Sequence, residues 1–334
     1  MGMQRCLFLK ETMSNILITS AGKRVSLVKV FKNEAKRINN KLKVFTADAN
    51  PKISAACQIS DQSFLLPRVN DPMYIDKLIH LCTTNTIGLV IPTIDTELKV
   101  LAENKQKLMN SGIIPVISSL ELVKKCRDKR LIHNFFKSKQ IEVAKEYSKN
   151  NLEFPMFIKP YDGSRSVDTF LILSEDDLTD YHLNNEKLMY LEYIDHNDHH
   201  EYTCDMYYGL DGKLKCAVPR KRIEVRDGEV NKGKTSKNIL WETILHKMSF
   251  IEGARGCLTA QFFVNNKTSR IVGIEVNPRF GGGYPLSYLA GANFPRWILQ
   301  EYLLNETIST FNDWEDNLLM LRYDDEILVK DSDA

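Results

Sequence analysis

The chain has 334 residues, of which 43% are hydrophobic, and a formal net charge of +2. This length allows two or three packed domains, and the balanced charge gives no reason to expect nucleic acid or a membrane as a partner. No stretch approaches the ~18 consecutive apolar residues of a membrane-spanning helix. The seven cysteines are scattered without a CxxC pair, so we expect reduced thiols in a cytoplasmic protein.

Residues 1–12 lie ahead of the first predicted strand. They carry an apolar patch without a small-residue cleavage site, and Cys6 stands where N-myristoylation requires a small hydroxyl residue. We therefore expect an N-terminal extension here, and neither a signal peptide nor a lipid anchor.

Residues 13–118 alternate short apolar runs with amphipathic stretches. Strands are predicted for the runs NILITSA, KVFTAD, GLVIPT and IIPVIS, and helices after Lys23, over 73–83 and over 97–110. This alternation predicts a parallel, doubly wound α/β domain of Rossmann-like type. Its first loop, TSAGKR, has one glycine where a dinucleotide fingerprint needs three, which argues against NAD.

The strand predicted in IPTIDTE ends with Asp95 and Glu97. Ligands of parallel sheets bind at the carboxyl ends of the strands, so these acids are candidates for a ligand site. Acidic residues also favour the N-terminus of a helix, which explains the pair equally well.

After residue 118 the sequence changes character. A helix rich in Lys and Arg is predicted over 118–140, followed by the strand FPMFIKP, the turn YDGSRSVD and the strand TFLIL. Lys159 leaves the first of these strands beside a Gly/Ser loop, where an ammonium and backbone N–H groups can bind a phosphate. Many surface lysines also precede turns, so the pattern alone leaves both interpretations open.

Two apolar strands follow, KLMYLEYI with Glu192 and EYTCDMYYG with Glu201. The intervening IDHNDHHE holds three histidines, which we interpret as solvent-exposed and not as metal ligands. A long hairpin is predicted next, in which Arg220 and Arg222 lie in a basic run mixed with acids. That run indicates either an anion site or a solvated charged surface. It lacks the interleaved aromatics that would favour nucleic acid.

The stretch 258–283 predicts two strands joined by a polar turn at 265–269 and followed by three glycines. If the hairpin is symmetric about the turn, Gln261 lies opposite Glu275, and alternation places Asn277 on the same face. The opposite, core-facing side would carry Phe262, Val264, Val272, Ile274 and Val276. Carboxylate and amide oxygens suit Mg²⁺, and Arg279 follows directly. A solvated hairpin face is the alternative.

In this order and spacing, the motifs resemble the ATP-grasp superfamily, in particular stand-alone relatives of the carbamoyl phosphate synthase large subunit. The resemblance extends over about residues 14–305 and rests on Asp128-Lys129, FIKP, the Gly/Ser loop, LEYI, EYTCD, Gln261 and EVNPR. It implies an α/β fold that becomes α+β in its C-terminal part. The implied divisions are a Rossmann-like pre-ATP-grasp domain at 13–118, a small lobe at 119–188, a central lobe at 189–310 and a C-terminal segment at 311–334.

The same resemblance implies ATP and one or two Mg²⁺ ions, with Mn²⁺ as an alternative metal. Residues implied in nucleotide binding are Lys129, Lys159, Gly163, Ser164 and Arg165 at the phosphates, Glu192, Tyr193 and Ile194 at the adenine, and Glu201 at the ribose. Gln261, Glu275 and Asn277 would hold the metal, with Gln261 and Glu275 also near the nucleotide. Arg279 would reach the γ-phosphate, while Arg220 and Arg222 would hold an acidic substrate.

Two features depart from the family pattern, namely the phosphate loop and the first metal position. The phosphate loop of such proteins carries several glycines, whereas Gly163 stands alone here, with Arg165 and Asp168 in places where glycine is common. This composition implies a stiffer loop. The first metal position, which is often acidic, is Gln261, so the second metal site should be weaker.

The implied activity is ligation of a small carboxylic acid, activated as an acyl phosphate, to an amine. Such chemistry needs positioning and charge neutralisation and no Ser–His–Asp constellation. The resemblance is also compatible with a homo-oligomer. Two alternatives are a non-catalytic ATP-binding or regulatory module and a phosphotransferase that stops at the acyl phosphate. The identities of the acid and the amine are not encoded in any readable motif.

Overall fold

The computed structural model describes residues 14–163, 167–226, 228–265 and 267–330. The expected extension at 1–12 lies outside these residues. Within the described ranges, no helix is both long and apolar enough to cross a membrane.

The first third of the chain alternates strands with helices, as the sequence predicts. The elements are β1 (Asn15–Thr19), α1 (Val25–Ile38), β2 (Val44–Asp48), α2 (Ala55–Gln58), β3 (Ser63–Leu65), α3 (Tyr74–Thr84), β4 (Ile87–Pro92), α4 (Asp95–Glu103), α5 (Lys105–Asn110) and β5 (Ile114–Pro115). The strands pair in parallel in the order β3-β2-β1-β4-β5. Strand β4 is buried along its whole length, as a strand covered on both faces must be. The parallel α/β prediction is confirmed.

Two helices predicted within residues 97–140 are each divided into two shorter helices in the structure. The helix expected over 97–110 divides at Asn104 into α4 and α5. The basic helix expected over 118–140 divides at Asp128 into α6 (Leu120–Arg127) and α7 (Lys129–Ser138). The Asp128 side chain accepts a hydrogen bond from the Arg130 amide, which caps α7 and sets Lys129 at its first turn.

The middle of the chain forms a small antiparallel sheet. Its strands are β7 (Glu146–Tyr147), β8 (Met156–Pro160), β9 (Phe170–Ile172) and β10 (Leu188–Glu192), with the short helix α8 (Asp180–Asn184) before the last strand. They pair in the order β7-β10-β8-β9. The small-lobe boundary expected at 188 therefore falls inside β10. Strand β6 (Glu142–Val143), although within 119–188, pairs with a different sheet.

The last part of the chain builds a seven-stranded sheet in the order β16-β13-β12-β11-β14-β15-β6. Its long strands are β11 (His199–Tyr208), β12 (Leu214–Arg226), β13 (Glu229–Thr235), β14 (Gly256–Asn265) and β15 (Ile271–Asn277). Strand β16 (Leu319–Leu321) pairs antiparallel with β13, so the C-terminal segment joins this sheet. Helices α9 (Ile239–Lys247), α10 (Tyr284–Leu289) and α11 (Phe294–Leu303) pack around it.

The β14–β15 hairpin shows where the predicted symmetry fails. Gln261 pairs with Glu275 as expected, but Val264 pairs with Ile271 and not with Val272. A bulge at Ile274 adds one residue to β15, so side chains on the turn side of the bulge change faces. Val272 and Ile274 therefore do not lie on the face of Phe262 as expected, since both line the cavity described below. Val272 is nevertheless buried, as a core position requires, with 1% of its surface exposed. Phe262, Val264 and Val276 do lie in the core.

A single glycine explains the geometry at this bulge. Gly273 faces α7, and a Cβ there would come within 2.5 Å of the Phe136 ring. Phe136 also packs edge-on against Phe262, with ring centroids 5.5 Å apart. The helix that begins with Lys129 is thus packed directly on the strand that carries Glu275.

One hydrophobic cluster joins the first sheet to the seven-stranded sheet. It contains Ile16 and Ile91 from the first sheet together with Tyr207, Phe294 and Trp314 from the C-terminal half. The parallel sheet therefore packs on the rest of the chain through a shared apolar core.

Candidate active site

A cavity of about 1440 Å³ lies where the three sheets meet. Its wall includes side chains from the loop after β1, from α7, from β8 and β10, and from the β14–β15 hairpin. Pockets for a single small ligand usually occupy ~300–1,000 Å³. The volume is therefore sufficient for a nucleotide together with a second substrate.

One end of the cavity, called the nucleotide end here, is formed by Lys129, Lys159, Glu275 and residues 192–194. The Lys129 ammonium donates to the Gly163 carbonyl oxygen at 2.5 Å and lies 4.0 Å from Glu275 Oε2. Lys159 makes no hydrogen bond or ion pair with another described residue. Burial, together with the like charge of Lys129, lowers the pKa of Lys159 to about 8, against the opposing pull of Glu275. Two ammonium groups facing one carboxylate leave a positive site suited to an anion.

The predicted metal residues lie together on the cavity side of the hairpin. Gln261 and Glu275 are directly opposed, and Asn277 pairs with Thr259 two residues further along the same strands. The Asn277 amide donates to Glu275 Oε1 at 2.8 Å, which orients the carboxylate. The second carboxylate oxygen and the two amide oxygens are hard donors of the kind that Mg²⁺ takes. In the described residues, no group of three or more His, Cys, Asp and Glu side chains is placed to hold a metal.

Glu192 ends β10, and Tyr193 and Ile194 follow it along the cavity wall. The Glu192 carboxylate receives two hydrogen bonds from Arg270, at 2.7 and 3.0 Å, and Arg270 also donates to Glu142. These hydrogen bonds lower the pKa of Glu192. The backbone amides of Tyr193 and Ile194 bond to no described residue. Any contact of this segment with an adenine would therefore use backbone groups, because the Glu192 side chain is already paired.

Glu201 lies on β11 and faces the cavity beside Arg222 from the neighbouring strand. The Arg222 Nε atom lies 3.2 Å from Glu201 Oε2. Burial raises the pKa of Glu201, and Arg222 opposes that shift. Of the three nearby histidines, His196 is exposed in the loop as expected, whereas His199 is buried and His200 half-buried in β11.

Arg279 reaches across to the first domain. Its Nη2 donates to Asp95 Oδ2 at 2.7 Å, and its Nε lies 3.2 Å from both carboxylate oxygens. Burial lowers the pKa of Arg279, but Asp95 outweighs that effect and raises it. Asp95 is the first residue of α4 and also lines the cavity, where it orients Arg279. The two interpretations of this acid, as a helix N-terminal residue and as part of a ligand site, are therefore compatible.

Arg220 is the most deeply buried of the predicted arginines, with 1% of its side chain exposed. It donates to both oxygens of Asp205, at 2.8 and 3.1 Å, while Thr259 and Ser287 also donate to Asp205. Its Nη1 atom has no hydrogen-bond partner among the described residues. A Cβ on Gly283 would lie 2.2 Å from that atom, so only glycine allows the backbone to approach it.

Two predicted site residues, Ser164 and Arg165, lie outside the described residues. On the far side of that gap, Asp168 adopts a left-handed backbone with φ of 64°, which explains why glycine is common at this position. Tyr181 donates a hydrogen bond to the Asp168 carboxylate.

Sequence analysis missed Arg24, which lines the cavity from the loop after β1. A signal was available, because this loop follows the carboxyl end of the first parallel strand, where ligands bind in such sheets.

Two family models match this chain. Residues 16–117 match the PylC-like N-terminal domain, and residues 184–322 match the model described as ATP-grasp in the biosynthetic pathway with Ter operon. No curated protein matches the chain at the level of sequence.

Solved structures with a similar fold agree with these matches. The biotin carboxylase domain of Hydrogenobacter thermophilus 2-oxoglutarate carboxylase, in complex with MgADP, ADP and bicarbonate, gives a TM-score of 0.71 at 13% identity over 92% of this chain and 74% of that one. The Staphylococcus aureus N5-carboxyaminoimidazole synthetase complexed with ADP gives 0.66 at 15% identity, over 92% and 80%. Rhizobium etli pyruvate carboxylase gives 0.64 at 14% identity over 84% of this chain, which spans only 27% of that protein.

The resemblance to the ATP-grasp superfamily is confirmed by the match over residues 184–322, the N-terminal part matches a PylC-like domain, and the fold is shared with the biotin carboxylase domain. The finer likeness to the carbamoyl phosphate synthase large subunit stays a prediction. The residues present fit a magnesium nucleotide, because the nucleotide end combines two lysine ammoniums, unbonded backbone amides and a set of hard oxygen donors.

Proposed function

We propose that this protein is an ATP-dependent ligase that activates a small carboxylic acid as an acyl phosphate and joins it to an amine. The observation that carries the proposal is the presence of Lys129, Lys159, Glu275 and Arg279 on the wall of one cavity large enough for two substrates. Support also comes from the similar structures, whose complexes contain MgADP with bicarbonate in one case and ADP in another.

In this proposal the nucleotide end holds ATP. Lys129 and Lys159 neutralise phosphate oxygens, with Gly163, Ser164 and Arg165 as further predicted phosphate contacts. The backbone of residues 192–194 bonds the adenine edge, and Glu201 bonds the ribose. Lys159 is the more important of the two lysines, because its ammonium has no partner among the described residues to give up when a phosphate binds.

Gln261, Glu275 and Asn277 would hold Mg²⁺ against the nucleotide. Bound there, the ion supplies positive charge to the phosphoryl group that is transferred. A single carboxylate among the three ligands favours one tightly held ion over two, and Mn²⁺ could occupy the same oxygen donors.

The chemistry proceeds in two displacements. A carboxylate oxygen of the acid attacks the γ-phosphorus while the bond to the β–γ bridging oxygen breaks, so ADP leaves. The amine nitrogen then attacks the acyl carbon, the C–O bond to phosphate breaks, and the amine loses a proton to solvent. Holding the reactants in line supplies ~7–11 kcal/mol of the barrier, which is the main contribution expected of this chain.

Arg279 lies on the cavity wall beside the nucleotide end. Its charge interacts with Glu275, which places it beside the metal-binding residues, and Asp95 fixes the plane of its guanidinium. A guanidinium held in this way can stabilise the negative charge that is spread over the equatorial oxygens of the γ-phosphoryl group during its transfer. Arg220 and Arg222 were predicted to clamp the acid. Their pairing with Asp205 and Glu201 favours a role in shaping the cavity wall.

Two measurements test the proposal. Saturation with Mg·ATP at a hundred times its Kd should stabilise the protein by ~2.7 kcal/mol, visible as a higher melting temperature. Lys159→Ala should remove most of that shift, whereas Lys29→Ala, at an exposed position of α1, should keep it. A larger shift with NAD than with ATP would contradict the nucleotide assignment.

The second measurement is ADP release from ATP in the presence of pooled amino acids and sugar acids, with product analysis. Release that depends on both an acid and an amine supports the ligase. Release that depends on the acid alone supports a phosphotransferase, and binding without release supports a regulatory module.

The free thiols of the described cysteines support a cytoplasmic location.

A further inference from the structure

A second part of the cavity wall, called the arginine end here, is formed by Lys23, Arg24, Arg220, Arg279 and Glu229. Most cations at this end are already paired with acids. Arg220 is bonded to Asp205 and Arg279 to Asp95, as described above. Glu229 is shared by Lys23, at 3.7 Å, and by Arg322 from the C-terminal segment, at 3.3 Å.

Arg24 is the cation left over. Its guanidinium makes no hydrogen bond and no ion pair within the described part of the chain. It lines the cavity, lies near Arg279 and is partly buried. Burial and then the like charge of Arg279 lower its pKa, and the charges of Glu229 and Asp95 oppose this shift only in part. Neither acid reaches ion-pair distance of Arg24, so the guanidinium stays without a direct partner among the described residues. An anion placed beside it would relieve both effects.

The loop that carries Arg24 is rigidly held. Ser20 and Gly22 have left-handed backbones, with φ of 51° and 47°. The Gly22 amide donates to Asp48 Oδ2 at 2.9 Å, and the Ser54 hydroxyl donates to the Gly22 carbonyl oxygen at 2.9 Å. The Ser20 hydroxyl donates to the buried Glu97 at 3.1 Å. Side chains from several elements therefore fix the path of this loop before any ligand binds, which is how binding sites are preorganised.

We propose that Arg24 binds a second anionic group of the acid substrate, a carboxylate or a phosphate monoester, while the reacting carboxylate lies toward Arg279. This inference rests on the proposed function for its reacting carboxylate. The substrate is thereby a dianionic acid and not a simple monoacid. A guanidinium binds carboxylate and phosphate oxygens with the same paired N–H geometry. The proposal therefore covers both groups, and the test distinguishes between them.

The test measures binding and does not depend on turnover. Protein saturated with Mg²⁺ and the non-hydrolysable analogue AMP-PNP is titrated calorimetrically with matched probes that differ by one anionic group. The carboxylate arm compares aspartate with alanine, and glutarate with butyrate. The phosphate arm compares 3-phosphoglycerate with glycerate, and O-phosphoserine with serine.

We expect at least one dianionic probe to bind ~10-fold or more tightly than its monoacid partner, and the arm in which this occurs identifies the second group. Arg24→Gln should abolish the preference, Arg24→Lys should restore part of it, and Lys29→Gln, which removes one charge from the exposed side of α1, should leave it unchanged. AMP-PNP affinity should be the same in all variants, which also shows that they are folded.

Several results would overturn the inference. These are equal binding within every pair, no binding of any dianionic probe, a preference that survives in Arg24→Gln, or an equal loss of AMP-PNP affinity in that variant. Failure of the proposed function looks different, because it would appear as absent nucleotide binding or as absent ADP release with a dianionic acid bound.

Discussion

The two ends of the cavity hold positive charge in different ways. At the nucleotide end the cations are lysines, and Lys159 has no protein partner within the described residues. At the arginine end the guanidiniums of Arg220 and Arg279 are each fixed by an aspartate in the ligand-free protein. Lysine is a mobile point charge that can follow a phosphate, whereas a paired arginine presents a fixed plane. The difference indicates that one end adapts to a flexible polyphosphate and the other end selects geometry.

The largest expected effect is on the free energy of unfolding, when the buried ion pair at the arginine end is broken. Arg220→Met leaves Asp205 buried with its hydroxyl donors but without a counter-charge, and breaking such a buried pair costs ~3–5 kcal/mol. Urea unfolding should show a loss of this size. Lys267→Met, which removes a surface partner of Asp198, should cost less than ~1 kcal/mol. A similarly small loss for Arg220→Met would mean that the pair is solvated and available to a ligand.

The next effect is on turnover at the nucleotide end. Glu275→Gln removes the one carboxylate of the predicted metal group, and we expect kcat to fall by ~10²–10³, the size seen when one preorganised charged or polar group is removed. Asn277→Ala should act in the same direction. The urea midpoint should change little, because the Glu275 side chain is 25% exposed to the cavity. Glu121→Gln on the surface of α6 is the matched control. Near-normal Mg²⁺-dependent ADP formation in Glu275→Gln would refute the metal assignment.

Arg279→Lys asks whether geometry or charge matters where the two ends meet. The substitution keeps the charge and removes the fork, so we expect kcat to fall by ~10²-fold with little change in ATP affinity. Arg130→Lys, which alters another bidentate arginine–aspartate pair on the surface, is the control. Equal losses of kcat and of ATP affinity would show that Arg279 only anchors the glycine-rich loop.

The smallest expected effect is the pH dependence of nucleotide binding. Lys159 has a pKa lowered to about 8, so its protonated fraction rises as the pH falls from 9.5 to 7.5. The affinity for Mg·ADP should rise by ~10-fold over this interval, because phosphate binding favours the protonated form. Calorimetry should give a nearly flat profile for Lys159→Met. An equally steep profile in that variant would assign the titration to another group.

The sequence predicted the parallel sheet because strand–helix alternation is a local pattern. The residues of the nucleotide end were implied by the resemblance to the ATP-grasp superfamily, and their roles stay predictions. Gln261 lies opposite Glu275 as predicted because the bulge at Ile274 offsets the one-residue shift in register near the turn. The faces of Val272 and Ile274 could not be predicted, since a bulge depends on the close approach of Phe136 to Gly273. That contact comes from another element and leaves no periodic signal in β15.

The arginine end was less predictable for a related reason. The partners of Arg220 and Arg279, namely Asp205 and Asp95, lie 15 and 184 positions away in the chain. A motif such as GKR shows that cations are present, but only the folded arrangement shows that the Arg24 guanidinium makes no ion pair within the described residues, although Glu229 and Asp95 lie near it. Whether a cation has an acidic partner depends on which residues the fold brings together, whereas the sequence shows only which residues are neighbours along the chain.

The bond between Asp95 and Arg279 has a consequence for modular exchange. Because the acid belongs to the Rossmann-like unit and the base to the hairpin, a chimera that replaces residues 16–117 with an unrelated domain would leave Arg279 without its partner. The foreign domain would need an acid at the start of its own fourth helix and an apolar surface matching Tyr207 and Phe294. Recombination within this architecture is therefore restricted to donors that carry the same acid at the same place.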